Sequence, residues 1–233
     1  MSNLYIVATP IGNLQDINLR ALSTLEKVDL IACEDTRKAT VLINEFFPEK
    51  RTEMLNKLFS YYDEIELQKI PQVMNLLLNG KDVALISDAG TPTISDPGFK
   101  LVRECIKNNI KVISVPGASS VISALVTSGL PTDKFMFLGF LPQKPGHRLK
   151  FLENVKKQLE IQSNTVIFFE SPHKLLKSLK DLKTVFGNME ITIVREQTKL
   201  VEENIVGNIV ELIEKYKKGI KGELVILFNI KET

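Results

Sequence analysis

The sequence predicts a two-domain α/β protein with an N-terminal sheet of the parallel type and a mixed C-terminal sheet. Three observations support this prediction. The chain has 233 residues, enough for one large or two modest α/β domains. Up to Val115, short apolar runs rich in β-branched residues alternate with helical patterns, as in βαβ units. Beyond Phe135, two such runs follow each other across a short polar turn, which is typical of antiparallel strands.

Ten apolar runs are predicted to form strands, and eight segments with apolar residues at helical spacing are predicted to form helices. The predicted strands are Leu4–Thr9, Asp29–Glu34, Met54–Tyr61, Asp82–Ser87, Lys111–Val115, Phe135–Gly139, Thr165–Glu170, Ile191–Arg195, Val201–Val206 and Glu223–Phe228. The predicted helices are Leu19–Leu25, Thr36–Glu45, Glu64–Asn79, Phe99–Lys107, Ser119–Ser128, Arg148–Leu159, Pro172–Val185 and Asn208–Lys217. Pro71 predicts a kink or a later start of the third helix. The Pro116-Gly117 turn predicts a boundary between domains of residues 1–116 and 117–233.

The composition excludes several classes of protein. Hydrophobic residues make up 44% and charged residues 25%, which argues against disorder, a collagen-like repeat and a disulfide scaffold. The net charge of +2 argues against non-specific DNA binding over the whole surface. No apolar run approaches the ~18 residues of a membrane span, and the first ten residues do not read as a signal peptide. Two cysteines and two histidines without metal-ligand spacing predict no metal site and a reducing cytoplasm.

The long segment Ser87–Gly98 is the strongest candidate for a ligand-binding loop. It follows a predicted parallel strand and is rich in Gly, Pro, Asp and hydroxyl side chains. Ligands of open α/β sheets bind at the carboxyl ends of such strands, although a pair of capped turns would also use these residues. Asp88 could hold a ribose hydroxyl or an ammonium group. No Lys or Arg lies between Lys81 and Lys100, which favours a neutral or cationic ligand over a nucleoside triphosphate.

Two shorter motifs also follow predicted strands. Thr9–Asn13 contains Pro and Gly, so that a ligand could approach its backbone closely, although a plain turn would look the same. Pro116–Ser120 leads from a strand into a helix. Ser119 or Ser120 could cap that helix, or the backbone N–H groups there could face a carboxylate.

Charged motifs follow three further strands. Glu34, Asp35 and Arg37 lie at a strand end and helix start, where Asp35 could simply be the helix cap. The segment Glu170–Lys174 places a carboxylate, a histidine and a lysine at another helix start, and Val194–Lys199 is a polar connection between strands. A histidine at a helix start is more often a surface residue than a catalyst.

The basic residues are unevenly distributed. The segment from Lys144 to Lys183 contains nine basic residues and four acidic ones. Four lysines in this segment are spaced by three, at positions 174, 177, 180 and 183. The pattern fits either a solvated helix face or contact with RNA.

Taken in order, the motifs resemble the ribosomal RNA small-subunit methyltransferase I family of the tetrapyrrole methylase-like superfamily. They read YIVATPIGNLQDI, IACEDTR, LISDAGTPTISDPG, VPGASS, FLGFLPQK, FFESPHKLL, VREQTK and GELVIL, and the similarity runs from Leu4 to Leu227. The resemblance implies a class III methyltransferase, usually a homodimer, with S-adenosylmethionine in the cleft between its domains. It also implies 2′-O-methylation of a cytidine ribose in the decoding region of 16S ribosomal RNA of the small ribosomal subunit.

The resemblance also assigns site residues. The expected cofactor-binding residues are Pro10, Asp88, Ala89, Gly90, Thr91, Ile94, Ser119, Ser120, Phe168, Phe169 and Gly222. The candidate catalytic carboxylates are Glu34, Asp35 and Glu170, since a ribose hydroxyl is a weak acid that a general base would activate. The candidate substrate-binding residues are Arg37, His173, Lys174 and Arg195.

The chain departs from the family pattern in three places, and other functions stay open. Residues 62–66 replace a His-rich stretch, Gln197 stands where Leu or another residue is common, and the sequence ends soon after Leu227. The alternatives are a tetrapyrrole methyltransferase of the same superfamily, a non-catalytic RNA-binding module and a phosphate-binding α/β protein.

Overall fold

The structure, a computed structural model, describes residues 2–230 and divides into two compact units between Ser119 and Ser120. Each unit contains one five-stranded sheet. Within the described residues, no helix is both long enough and apolar enough to span a bilayer.

The first unit alternates strands and helices along most of its length. Its strands are β1 (Asn3–Val7), β2 (Leu30–Cys33), β3 (Leu58–Ser60), β4 (Val83–Ile86) and β5 (Lys111–Val115). Its helices are α1 (Leu19–Lys27), α2 (Thr36–Phe46), α3 (Arg51–Asn56), α4 (Glu66–Leu78) and α5 (Phe99–Lys107).

The sheet of the first unit is wholly parallel, with the strand order β3-β2-β4-β1-β5. Side chains of β4 alternate between two cores, since Ala84 and Ile86 pack with α1 and α2 whereas Val83 and Leu85 pack with α4 and α5. The connections that leave the adjacent strands β1 and β4 therefore turn to opposite faces of the sheet. Such a switch point is where open α/β sheets bind their ligands.

The second unit contains a mixed sheet. Its strands are β6 (Phe135–Phe140), β7 (Thr165–Glu170), β8 (Glu190–Arg195), β9 (Glu203–Asn208) and β10 (Leu224–Phe228). Its helices are α6 (Ser120–Thr127), α7 (Pro145–Ile161), α8 (Leu175–Phe186) and α9 (Ile209–Lys215). The order is β6-β7-β10-β8-β9, in which β6 and β7 are parallel and the other pairs are antiparallel.

The two faces of the second sheet are covered unequally. Helices α7, α8 and α9 form the larger core on one face, and α6 packs on the other. Arg148 of α7 is 3% exposed, and its Nε donates to Asp181 Oδ2 of α8 at 2.6 Å. Its Nη1 lies 3.5 and 3.4 Å from the carbonyl oxygens of Pro142 and Gln143. A buried guanidinium with these partners fixes α7 against α8.

The predicted parallel-type and mixed sheets are confirmed, and three element predictions are corrected. Residues 51–56 form α3, so the strand predicted over Met54–Tyr61 is only Leu58–Ser60. Helix α4 continues through Pro71 without a later start and follows a short 3₁₀ turn. The helix predicted from Pro172 begins at Leu175, because residues 172–174 form a turn.

Candidate active site

Backbone contacts join the loops that follow β1, β4 and β5. Thr9 N donates to Gly90 O at 2.8 Å, and Gly90 N donates to Thr9 O at 3.0 Å. Thr91 Oγ1 donates to Ala118 O at 3.1 Å. These bonds fix the 87–98 loop across the switch point, between the segments that follow β1 and β5.

Gly98 is required where the 87–98 loop enters α5. Its φ is +125°, and a Cβ there would lie 2.3 Å from Leu85 Cδ2. Gly90, with φ of +86°, would place a Cβ 3.3 Å from Ile11 Cγ2. Both positions therefore combine a left-handed backbone with close packing that a side chain would disturb.

The exposed tip of the loop holds a strained backbone. Thr93 and Ser95 adopt φ values of 74° and 65°, a conformation that costs a non-glycine residue about 1–3 kcal/mol. Between them, Ile94 is 45% exposed. The strain presents an apolar side chain to solvent, as a contact with the apolar part of a ligand requires.

Three carboxylates create a negative potential at the same edge of the sheet. Burial, and then repulsion from Asp88 and Asp96, raises the pKa of Glu34 to about 7. Burial also raises the pKa of Asp96 to about 6; a hydrogen bond from Ser87 opposes that rise and Asp88 adds to it. The strand register explains the proximity, because Cys33 of β2 pairs with Ile86 of β4. The cluster suits a cationic ligand and a group that accepts a proton near neutral pH.

Asp35 and Asp88 both hold the N-terminus of α2. Asp35 caps the helix by accepting from Arg37 N at 2.8 Å, and Arg37 Nη2 donates to its Oδ2 at 2.7 Å. The bond to the Arg37 guanidinium lowers the pKa of Asp35 to about 2. Asp88 accepts from Asp35 N at 3.0 Å and pairs with Lys38 at 2.9 Å. A carboxylate of such low pKa is a poor proton acceptor.

Glu66 anchors the far end of the loop, and sequence reasoning did not select it. Its side chain is buried and accepts from Gly98 N at 2.9 Å and from the Tyr61 hydroxyl at 3.1 Å. Lys100 pairs with its second oxygen at 2.8 Å. The only sequence signal was its place in the unusual stretch of residues 62–66. Asp96 was also missed as a site residue, although it lies within the candidate loop.

Glu170, the last residue of β7 in the second unit, is hydrogen-bonded by the turn that follows it and by α8. It is 5% exposed; Oε1 accepts from Ser171 N at 2.7 Å, and Oε2 accepts from the Ser178 hydroxyl. These contacts favour a role in holding the turn before α8. That turn carries exposed His173 and half-buried Lys174.

Phe168 and Phe169 point to opposite faces of β7. Phe168 is fully buried in the core formed with α7 and α8, so its side chain does not reach solvent. Phe169 is half-buried and lies in an aromatic group with Phe137 and Phe140, with ring centroids 4.9 and 5.4 Å away.

The turns flanking β8 and β10 are tied together around Gly222. Glu196 Oε1 accepts from Glu223 N at 2.8 Å and from Lys199 Nζ at 3.0 Å, and a Cβ on Gly222 would lie 2.4 Å from Glu196 Cγ. Arg195 pairs with Glu203 at 2.8 Å and donates to Lys221 O at 3.0 Å. The Arg195 charge is therefore already compensated within this unit.

Gln197 secures the start of α6. With the side-chain amide oriented so that both of its groups are satisfied, its nitrogen donates to Ser120 O at 3.1 Å and its oxygen accepts from Ala124 N at 2.9 Å. The glutamine that departs from the family pattern therefore has a structural role at the first turn of this helix.

Comparison with known proteins decides the family. Residues 3–213 match the family of Tetrapyrrole (Corrin/Porphyrin) Methylases. Proteins named ribosomal RNA small subunit methyltransferase I are similar to the chain over its length. That of Mycoplasmopsis pulmonis is 46% identical over 100% of both chains, and that of Thermotoga maritima is 43% identical over 100% of both. The chain belongs to the ribosomal RNA small subunit methyltransferase I family.

Solved structures support the fold of this family member. Diphthine synthase aligns with a TM-score of 0.71 and 14% identity, over 97% of this chain and 90% of its own. Uroporphyrin-III C-methyltransferase from Thermus thermophilus, solved with S-adenosylhomocysteine, aligns with a TM-score of 0.64 and 16% identity over 97% of both chains. At these identities the likeness establishes the shared fold alone.

In this methyltransferase I family member, the expected site residues are divided between the two units. The first unit brings together Pro10, Glu34, Asp35, Arg37, Asp88, Ala89, Gly90, Thr91, Ile94 and Ser119 on the loops that follow its strands. The second unit carries Ser120, Phe168, Phe169, Glu170, His173, Lys174, Arg195 and Gly222. The first group includes the acidic edge and the strained loop, and it is the stronger candidate for the reacting centre.

Proposed function

We propose that this protein transfers the methyl group of S-adenosylmethionine to the 2′-oxygen of a cytidine ribose in the decoding region of 16S ribosomal RNA. The full-length identity of 46% to a ribosomal RNA small subunit methyltransferase I is the observation that carries the proposal. The acidic edge and the loop across the switch point supply chemistry that fits it.

The residues of the first unit fit S-adenosylmethionine, which supplies a methyl group bound to a sulfonium cation. Glu34, Asp88 and Asp96 give this edge the negative potential that a cation requires. The 87–98 loop contains no basic side chain that would attract a phosphate instead. Main-chain groups of Ala89, together with Ile94, would hold the adenosine part, while Gly90 and Thr91 fix the loop through Thr9 and Ala118.

Glu34 is the general base that the geometry favours among the three candidate carboxylates. Its raised pKa of about 7 lets it accept a proton from a hydroxyl near neutral pH. Asp35 is held by Arg37 with a pKa of about 2, and Glu170 is bound by Ser171 and Ser178. Glu34 would take the proton from the ribose hydroxyl, and the cofactor would supply the methyl group to that oxygen and leave as the neutral thioether S-adenosylhomocysteine.

The candidate RNA contacts differ in how free their charges are. The Arg37 side chain is 90% exposed beside the acidic edge, so it can contact a phosphate while keeping its bond to Asp35. His173 is exposed and Lys174 half-buried at the turn before α8. Arg195 is the weakest candidate, because Glu203 and Lys221 already satisfy it.

The proposal includes a place of action and an assembly. Methylation of the small ribosomal subunit would occur in the cytoplasm, and the family resemblance supports a homodimer. Light scattering of the purified protein, with a result of one or two chains of 26.2 kDa, tests the assembly directly.

A transfer assay with three acceptors tests the reaction. Labelled S-adenosylmethionine is incubated with the protein and unmethylated small subunits, free 16S ribosomal RNA or a uroporphyrinogen. The expected product is 2′-O-methylcytidine, recovered by mass spectrometry from the RNA of the small subunits. Label in the porphyrinogen alone supports the tetrapyrrole reaction instead, and RNA binding without cofactor binding supports a non-catalytic module.

A further inference from the structure

Helices α7 and α8, which pack on one face of the second sheet, carry a layer of basic residues. Eight lysines lie on these helices or at their first turns, at positions 144, 150, 156, 157, 174, 177, 180 and 183. The buried Arg148–Asp181 pair connects the two helices, and Lys156 Nζ donates to Val185 O at 2.9 Å. The lysines of both helices are therefore displayed on one fixed scaffold.

Many lysines elsewhere in the described residues have an acidic partner, whereas those of α7 and α8 have none. Eight other lysines form ion pairs with carboxylates, at positions 38, 50, 57, 81, 100, 107, 199 and 217. Across residues 2–230, none of the eight lysines of α7 and α8 takes part in such a pair. Their charge is therefore not neutralised by a carboxylate within residues 2–230.

The exposed members point away from the core. On α8, Lys177 and Lys180 lie opposite the buried leucines of the same helix. The lysine face consists of the exposed lysines that lie within the two helices, namely Lys150, Lys156, Lys157, Lys177, Lys180 and Lys183. The exposed carboxylates Glu153 and Glu160 lie on α7, while Asp181 pairs with Arg148 and Glu170 is buried. This surface therefore carries six positive charges and two negative ones, and its net charge is positive.

We propose that the lysine face binds the sugar–phosphate backbone of the ribosomal RNA substrate. The inference rests on the proposed function, which supplies an RNA partner. Phe151 and Phe186 of these helices are half-buried and pack against the core, so the face offers no aromatic platform for stacked bases. Lysines without such a platform contact phosphates and hold the RNA without reading its sequence.

A triple variant and a matched control test the lysine face. Lys177, Lys180 and Lys183 are changed together to Gln, and the control changes Lys27, Lys111 and Lys218, which are also exposed and cause the same change in net charge. Affinity for 16S ribosomal RNA is measured at several salt concentrations. Each lost phosphate contact lowers the slope of log affinity against log salt by roughly 0.7–0.9. We therefore expect a slope smaller by about 2–3 in the triple variant and an unchanged slope in the control.

Further measurements separate this inference from the proposed function. Calorimetric binding of S-adenosylmethionine is expected to be the same in both variants, and KM for small subunits is expected to rise about tenfold or more only in the α8 variant. Equal slopes and equal KM values in the two variants would overturn the lysine face while leaving the methyltransferase intact. Binding to vesicles of anionic lipid that depends on these lysines, without an effect on RNA, would assign the face to a membrane. A wild-type protein that methylates no RNA defeats the proposed function first.

Discussion

At the scale of single residues, neighbouring carboxylates acquire different chemical roles from their surroundings. Glu34 and Asp35 are adjacent in sequence, yet burial and two acidic neighbours raise the pKa of one to about 7, and Arg37 lowers the other to about 2. Only the first is matched to proton transfer near neutral pH.

The Glu34→Gln variant is expected to lower the rate of methyl transfer by about 100-fold or more, since general bases contribute roughly 10²–10⁴-fold. In the wild type, the rate should rise with pH and level off above about 7, because the base acts in its ionised form. Single-turnover rates across this pH range check the prediction.

Three variants serve as comparisons in that experiment. In Asp96→Asn, the rate of methyl transfer is still expected to rise with pH, but the rise should occur at lower pH, because Asp96 contributes to the raised pKa of Glu34. In Asp35→Asn and Glu170→Gln, the rate should rise with pH over nearly the same range as in the wild type. If the rate of Glu34→Gln depended on pH as the wild-type rate does, Glu34 would be excluded as the base.

The same residue makes stability depend on pH. Because the folded-state pKa of Glu34 is raised from 4.5 to about 7, the folded protein binds this proton more tightly than the unfolded chain does. Its contribution to the free energy of unfolding therefore falls as pH rises from about 4.5 to 7. Glu34→Gln removes this loss. The free energy of unfolding of the variant should therefore be greater than that of the wild type by roughly 2 kcal/mol at pH 8, and the two should be equal near pH 4. Urea unfolding at both pH values measures the difference in the free energy of unfolding. If Glu34→Gln stabilised the protein equally at pH 4 and pH 8, a raised pKa of Glu34 would be contradicted.

At the scale of elements, the loop and helix junctions depend on glycine geometry. Gly98→Ala would place a Cβ 2.3 Å from Leu85 Cδ2, whereas Gly80, with φ of +83°, has no atom within 4 Å of the added Cβ. Both changes strain a left-handed backbone, but only the first also forces the core apart. We expect Gly98→Ala to cost at least 2 kcal/mol more than Gly80→Ala in urea unfolding. Equal costs would show that backbone strain alone matters at Gly98.

The helix pair α7–α8 gives a second test at this scale. Asp181→Asn leaves the guanidinium of Arg148, which is 3% exposed, without a charged partner. Breaking a buried pair costs about 3–5 kcal/mol, so a loss of this size is expected in the free energy of unfolding. Glu26→Gln, which breaks the exposed pair with Lys50, should cost less than about 1 kcal/mol. A comparable loss in the two variants would contradict a special role for the buried pair.

Local patterns predicted most elements, and the exceptions have physical reasons. A continuous run of apolar residues was sufficient to predict β4 and β7, since each is a short buried strand. It failed for Met54–Tyr61, where buried Met54 belongs to a helix and a short apolar run fits either structure. The 87–98 loop was predictable because its composition is unusual for a connector.

At the scale of the whole molecule, the strand order explains what local patterns could not predict. Glu34 and Asp96 interact because β2 and β4 are neighbours in the order β3-β2-β4-β1-β5, although about sixty residues separate them in sequence. The roles of Glu66 and of the Arg148–Asp181 pair likewise depend on contacts between distant segments. Motifs identified the sheet edge that carries the candidate site, and the pairing of the strands determined which side chains share that edge.

The response of the whole chain to ligands follows from the charge of that edge. S-adenosylmethionine at 100 times its dissociation constant should stabilise the folded protein by about 2.7 kcal/mol. For a chain of 233 residues this corresponds to a rise in Tm of roughly 5–10 °C. ATP at the same concentration should leave Tm unchanged, because the 87–98 loop carries carboxylates and no Lys or Arg. Differential scanning calorimetry with each ligand measures both effects. If ATP raised Tm as much as S-adenosylmethionine does, the acidic edge would not select the cation. If S-adenosylmethionine neither raised Tm nor produced heat on binding, the basis for methyl transfer would be removed.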